Sequence, residues 1–139
     1  MRKVFCFLLL FSAVISMCIA CDDGVFSKEQ DRCFFEYILK NTAEGDVTVE
    51  ELDAYSKDGY CYYHIRYSCK NNEERNEWNA VYRVRFGEVT MYYNFNWGND
   101  NIILPMKDTF YDAVDYGIHK RYETEEIERY IEEYFENNR

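Results

Sequence analysis

Between residues 60 and 97 apolar and polar side chains alternate with a period of two. Cys61, Tyr63, Ile65, Tyr67 and Cys69 alternate with Tyr60, Tyr62, His64, Arg66 and Ser68. Trp78, Ala80, Tyr82, Val84 and Phe86 alternate with Asn79, Val81, Arg83 and Arg85. Val89, Met91, Tyr93, Phe95 and Trp97 alternate with Thr90, Tyr92, Asn94 and Asn96. Successive side chains of a strand point to opposite faces. The pattern therefore predicts strands at 60–69, 78–86 and 89–97, an antiparallel meander with one buried face. Gly87-Glu88 reads as a two-residue turn with glycine first. It pairs Phe86 with Val89, Val84 with Met91, Tyr82 with Tyr93, Ala80 with Phe95 and Trp78 with Trp97. A one-residue slip would bury the arginine face, so the side each residue faces is strongly specified.

Helical spacing brackets this region. Ser27-Lys28-Glu29-Gln30 has the form of a capping box, followed by an apolar stripe at Cys33, Phe34, Tyr37 and Ile38. A helix over 28–41 follows. Thr48-Val49-Glu50-Glu51 repeats the signature and predicts a short second helix to Tyr55. Thr124 is the expected cap of a last helix, with Ile127, Tyr130, Ile131, Tyr134 and Phe135 on one stripe and acids opposite. Ile102-Ile103-Leu104 reads as a short strand ended by Pro105, and 108–116 suits helix or strand. These elements define an α+β domain: a three- to four-stranded antiparallel meander with helices packed on one face.

The chain begins with Arg2 and Lys3, an almost wholly apolar run from Val4, and small residues at Cys18 and Ala20. That is the form of a signal peptide cleaved after Ala20. The mature chain would begin at Cys21 and form a single secreted domain over 21–139. Two alternatives are an uncleaved anchor, for which the apolar run is short, and a lipoprotein anchored through Cys21, for which Cys18 stands where leucine is preferred. Four cysteines, Cys21, Cys33, Cys61 and Cys69, then enter an oxidising compartment and read as two disulfides. Cys61 and Cys69 lie on one proposed strand, about 26 Å apart at 3.3 Å per residue, too far to be joined. The connectivity is Cys33–Cys61 with Cys21–Cys69, or Cys33–Cys69 with Cys21–Cys61.

Without Arg2 and Lys3 the 16 basic residues become 14 against 26 acidic ones, a net charge of −12. Nucleic acid is not an expected partner of so acidic a chain, because phosphate affinity comes from Lys and Arg. Acidity alone would suggest disorder, but 19% aromatic residues argue for a packed core.

Four places carry candidate chemistry. Asn41–Leu52 resembles the second half of a calcium loop, with Gly45, Val47 and Glu51 in suggestive positions. Lys40 falls where the leading acid belongs and Thr42 is a weak ligand, so no metal is expected there. The outward face of the sheet is the second. Its expected rows are Tyr62–Arg85–Thr90, His64–Arg83–Tyr92, Arg66–Val81–Asn94 and Ser68–Asn79–Asn96. Tyr62, His64, Arg66, Arg83, Arg85 and Tyr92 would form a patch for an anion or an acidic partner, since guanidinium forks match carboxylate or phosphate geometry. The third is acid–base catalysis by His64 and His119 in a small secreted hydrolase. The mature chain has no Gly-x-Ser-x-Gly, His-x-x-x-His or Cys-x-x-Cys spacing, and no cofactor is implied. The fourth is a small apolar ligand held between helices and sheet. The leading expectation is a secreted, non-enzymatic binding protein that uses the Arg/Tyr face.

Overall fold

A computed structural model describes residues 23–71, 73–97 and 104–139. The expected signal peptide, Cys21, and Ile102 and Ile103 lie outside the described residues. After a 3-10 turn at Asp23–Phe26 the elements are α1 (Lys28–Leu39), β1 (Val47–Lys57), β2 (Tyr60–Asn71), β3 (Glu74–Arg85) and β4 (Glu88–Asn94). A second 3-10 turn at Phe95–Trp97 precedes α2 (Leu104–Tyr116), β5 (Ile118–Arg121) and α3 (Thr124–Asn137). The result is a mixed α+β fold around one antiparallel sheet of five strands, in the order β4-β3-β2-β1-β5.

α1 starts as its capping box predicts, with Ser27 Oγ accepting from the Gln30 N–H at 3.2 Å. It buries Phe34, Phe35, Ile38 and Leu39. Phe34 stacks on Tyr63 at 4.4 Å, and Phe35 stacks on Tyr130 of α3 at 5.0 Å. Burying one such side chain contributes about 1.5–3 kcal/mol. α1 and α3 thus cover one face of the sheet through Leu52, Ala54, Ile65, Ala80, Tyr82 and Val84. α3 begins at Thr124, but Glu123 holds the N-cap position and makes no side-chain cap bond, so Thr124 is not the cap.

Helices cover both faces rather than one. α2 is helical throughout and lays Phe110, Ala113 and Val114 on Tyr62, Val81, Tyr92 and Tyr93, on the side away from α1. The face expected to meet solvent is therefore partly core.

The short helix expected at 48–55 is instead strand β1. A bulge lies between Val49 and Glu51, where Val49 pairs with Tyr67 and Glu51 with Arg66. The extra residue, Glu50, shifts the period. Val47 and Val49 share the core face with Leu52 and Ala54 across it. That break puts apolar residues at 49, 52 and 55, which imitates a helical stripe. Asp58-Gly59, with φ of +53° and +80°, then closes the β1–β2 hairpin.

The β3–β4 turn is Phe86-Gly87, not Gly87-Glu88, with φ of +51° and +74°. Arg85 pairs with Glu88, Val84 with Val89, Arg83 with Thr90 and Tyr82 with Met91. This register differs by two residues from the expected one. A shift of two leaves the side chains up to Met91 on their expected faces while changing their neighbours. A bulge at Tyr92 then puts Tyr93 opposite Val81, on the α2 face, and the strand stops at Asn94 rather than 97.

β2 is continuous through Cys61 and Cys69, so those two cysteines stand at opposite ends of one strand. Cys33, Cys61 and Cys69 are unbonded thiols here, and burial pushes the Cys61 thiol up to about 12.

Candidate functional site

Sheet pairing sets the rows of the α2 face. Tyr62 lies beside Arg83, which lies beside Thr90; His64 lies beside Val81, and Arg66 beside Asn79. On the other side of β2, Asp53 lies beside His64 and Arg121, and Tyr55 beside Tyr62 and His119. The six residues expected to form one patch do not stay together: His64 is held by Asn79, and the other five fall into three groups.

Tyr62 and Tyr92 are buried beneath α2, at 2% and 8% exposure. Their rings meet edge to face at 5.2 Å, and the Tyr92 hydroxyl lies 2.5 Å from Thr109 Oγ1. Burial raises the Tyr92 hydroxyl above its ordinary value. Neither ring is open to a partner, and both belong to the second core.

Arg66 stands at the opposite end of the sheet from the β3–β4 turn and is already engaged. Glu51 receives Arg66 Nη2 on one oxygen at 2.8 Å and Arg121 Nη2 on the other at 2.6 Å.

Arg83 and Arg85 make the third group, at the hairpin tip. Both guanidinium groups lie over the Tyr60 ring, at 5.2 and 4.6 Å. Arg85 Nη1 donates to the Tyr60 hydroxyl at 2.8 Å, and its guanidinium lies 5.1 Å from the Phe86 ring. Among the described residues Arg83 and Arg85 make no ion pair, as is also true of Arg75 and Arg129, whereas Arg32, Arg66, Arg121 and Arg139 each hold a glutamate. An open cleft of about 260 Å³ lies here, lined by Tyr60, Arg83, Arg85, Phe86, Glu88 and Thr90. A second open cleft of about 360 Å³ lies on the α1 side of the same hairpin, reaching Gln30, Cys33 and Gly59. Phe86 forms the ridge between them at 94% exposure.

Phe86 combines an exposed aromatic ring with φ of +51°. Bulky residues seldom adopt that conformation, which favours Gly, Asn and Asp. The equivalent place in the β1–β2 turn is held by Asp58, a residue that tolerates it.

The two histidines share the α2 face, on either side of Asp53. His119 Nε2 is 2.7 Å from Asp53 Oδ1, and its ring stacks on Tyr55 at 4.7 Å. His64 Nε2 is instead 2.6 Å from Asn79 Oδ1. Asp53 is nearly buried while His119 is half exposed. The hydrogen-bonded pair is therefore Asp53–His119, not His64–His119. Burial, and then the Asp53 carboxylate, raise the Tyr55 hydroxyl above its usual value.

Three residues of these sites were not legible in the chain. Asp53 was hidden by the β1 bulge, and Phe86 fell in the apolar phase of an alternating strand. Tyr60 stood in the outward phase, but only the true register puts it beside Arg85. Among the described residues no cluster of three or more His, Cys, Asp or Glu could hold a metal ion, and no helix is long and apolar enough to cross a membrane. Between α2 and the sheet, at Tyr92, Phe95 and Phe110, there is no room for a water-sized guest. Comparison with protein-family models, curated proteins and solved structures finds no match for this chain.

Proposed function

We propose that this chain is a secreted binding protein that recognises an acidic protein segment through the tip of its β3–β4 hairpin. One observation carries the reading: Arg83 and Arg85 stack on Tyr60 without a carboxylate partner among the described residues, in a chain of net charge −10. Two guanidinium groups held over one ring carry a mutual repulsion. An external anion relieves it. Tyr60 holds the pair in place, so less side-chain entropy is lost when an anion arrives. Phe86 supplies the apolar anchor beside them, and aromatic and arginine side chains dominate interface energetics. Its positive φ is a local strain of the kind kept at functional positions.

The test is a titration of isotope-labelled protein with a synthetic Asp/Glu-rich peptide, followed residue by residue by NMR. Amide shifts are expected at 60 and 83–90, weakening as salt is raised. R83Q with R85Q should abolish them while the far-ultraviolet circular dichroism stays unchanged. No shifts at the tip, or shifts that survive R83Q/R85Q, would sink the reading.

A second reading, a small hydrolase, is favoured by the Asp53–His119 contact. When Nε2–H donates to Asp53, Nδ1 of a half-exposed imidazole is left as a base. Hydrolysis of a carboxyl- or phosphoester panel, lost in H119A and D53N, would establish it. A panel left untouched by the native protein would end it.

A further inference from the structure

The two edges of the sheet are built differently. β5 is four residues long and carries His119, Lys120 and Arg121, and short charged edges of this kind discourage further strands. β4 is seven residues long and has no Lys, Arg or Pro. Its bulge comes only at Tyr92, past the regular stretch 88–91. The pairing with β3 shows which backbone groups of β4 are already used. Arg85 and Glu88 flank the two-residue turn and exchange both hydrogen bonds, and bonded and non-bonded pairs then alternate along an antiparallel ladder. Glu88 and Thr90 therefore bond to β3, while Val89 and Met91 turn their N–H and C=O groups outward. No strand among the described residues meets them.

Each face of that edge also stops short. On the α1 side Val89 packs against the core, but Met91, next along the same face, is 36% exposed. On the α2 side the hairpin cleft runs from Tyr60 on β2, past Arg83 and Arg85 on β3, to Glu88 and Thr90 on the edge strand itself. Two guanidinium groups against one carboxylate leave that cleft positively charged. One more strand, about 4.8 Å beyond β4, sets alternate side chains beside Val89 and Met91. The side chains between them fall beside Thr90, in the row of Arg83.

Resting on the reading of the hairpin tip as an acidic-partner site, we infer that the partner segment binds as a sixth strand on β4. It is an extended segment in which apolar residues alternate with acids. The apolar set continues the α1-side core past Met91, and the acids face the arginine row. Main-chain bonds to Val89 and Met91 give affinity, and the alternate side chains give specificity.

The experiment uses a peptide in which valine and glutamate alternate, in three forms: unmodified, N-methylated at the valines, or N-methylated at the glutamates. In an added strand only one alternate set of amides faces β4, whichever way the strand runs. Methylating that set should weaken binding about tenfold or more, the worth of one or two hydrogen bonds, and methylating the other set should change it less than about twofold. The unmodified peptide should also slow amide hydrogen exchange at Val89 and Met91. If the two methylated forms bind alike, while tip shifts from the unmodified peptide are lost in R83Q/R85Q, the strand inference falls and the acidic-partner reading stands. Val89 and Met91 amides already protected in the free protein would also overturn it, because the edge is then taken, by a second copy if sedimentation shows a dimer. No binding of the unmodified peptide at residues 83–90 would overturn both.

Discussion

The Tyr122 hydroxyl donates to Oδ1 of Asp31 at 2.5 Å, joining residues 91 apart in the chain. Tyr63 donates to the same oxygen at 2.6 Å and Tyr130 to Oδ2 at 2.9 Å. Asp31 is 1% exposed, and no Lys or Arg among the described residues pairs with it. Three hydroxyls therefore stand in for solvent around a buried carboxyl group and tie α1, β2, the segment before α3 and α3 itself to one point.

Removing a donor should weaken that point without emptying it. Y122F is expected to lower stability by about 1.5–3 kcal/mol, the usual worth of a hydrogen bond to a charged group. D31A should cost more than any single Tyr-to-Phe change, because it leaves three buried hydroxyls without an acceptor. Denaturant unfolding of the variants checks the order. D31A no worse than Y122F would contradict it.

The same cluster dictates how the protein responds to alkali. Burial, with Asp31 adding to it, raises the Tyr63, Tyr122 and Tyr130 hydroxyls well above their ordinary value of 10.0. Below pH 10 folded and unfolded chains both keep these protons, so stability is independent of them. Above it the unfolded chain releases protons that the folded chain retains, and stability falls as pH rises. Tyrosinate absorbance at 295 nm should therefore appear in two stages. Exposed tyrosines titrate near pH 10, and the buried set titrates together with loss of circular dichroism at higher pH.

F86N should raise stability by about 1 kcal/mol or more, since Asn tolerates the positive φ that strains Phe. The ring it removes is 94% exposed and contributes little to the core. If hairpin binding is confirmed, the same variant should bind more weakly. A more stable, weaker-binding protein would show that the strain is retained for recognition.

Gly117 stands where no side chain fits. A Cβ there would lie 2.4 Å from the Ala113 carbonyl oxygen and 2.5 Å from that of Ser56. G117A should cost about 1–3 kcal/mol or more, as overpacking does, and should loosen β5 first. Hydrogen exchange at Ile118–Arg121 measures this, and unchanged protection would refute it.

If the thiols oxidise, peptide mapping should show Cys61 joined to a residue near its own end of β2. Cys33 shares a cleft with Gly59 and Val84, and Val84 is the ladder partner of Cys61. That favours Cys33–Cys61 over Cys33–Cys69. A Cys61–Cys69 link is incompatible with the unbroken strand.

Much of the sheet could be read from the chain because period-two alternation is a local property. In β2 and β3 each residue declares its face without reference to partners, and the two-residue error in register left those faces intact. α1 and α3 were equally plain, since their stripes recur at helical spacing over three turns. β1 was not, because Glu50 broke its alternation and the capping signature at Thr48 pointed the other way. The candidate site was half legible. Arg83 and Arg85 were visible as outward cations, but nothing near them in the chain said that Tyr62 and Tyr92 would be roofed over.

By itself, then, the sequence determined that β2 and β3 are strands and which face their shared residues take, where α1 and α3 run, and that the chain is acidic with arginines on one sheet face. It missed that β3 starts at Glu74 and ends before Phe86. Tertiary structure alone decided that α2 would cross that face, burying Tyr62 and Tyr92 and leaving Arg83 and Arg85 open at the hairpin tip. It also brought Asp53 to His119, and Asp31 to three tyrosines spread along the chain. The reason is physical. A side chain's face follows from its neighbours along the strand, but its exposure depends on which distant apolar surface removes it from water.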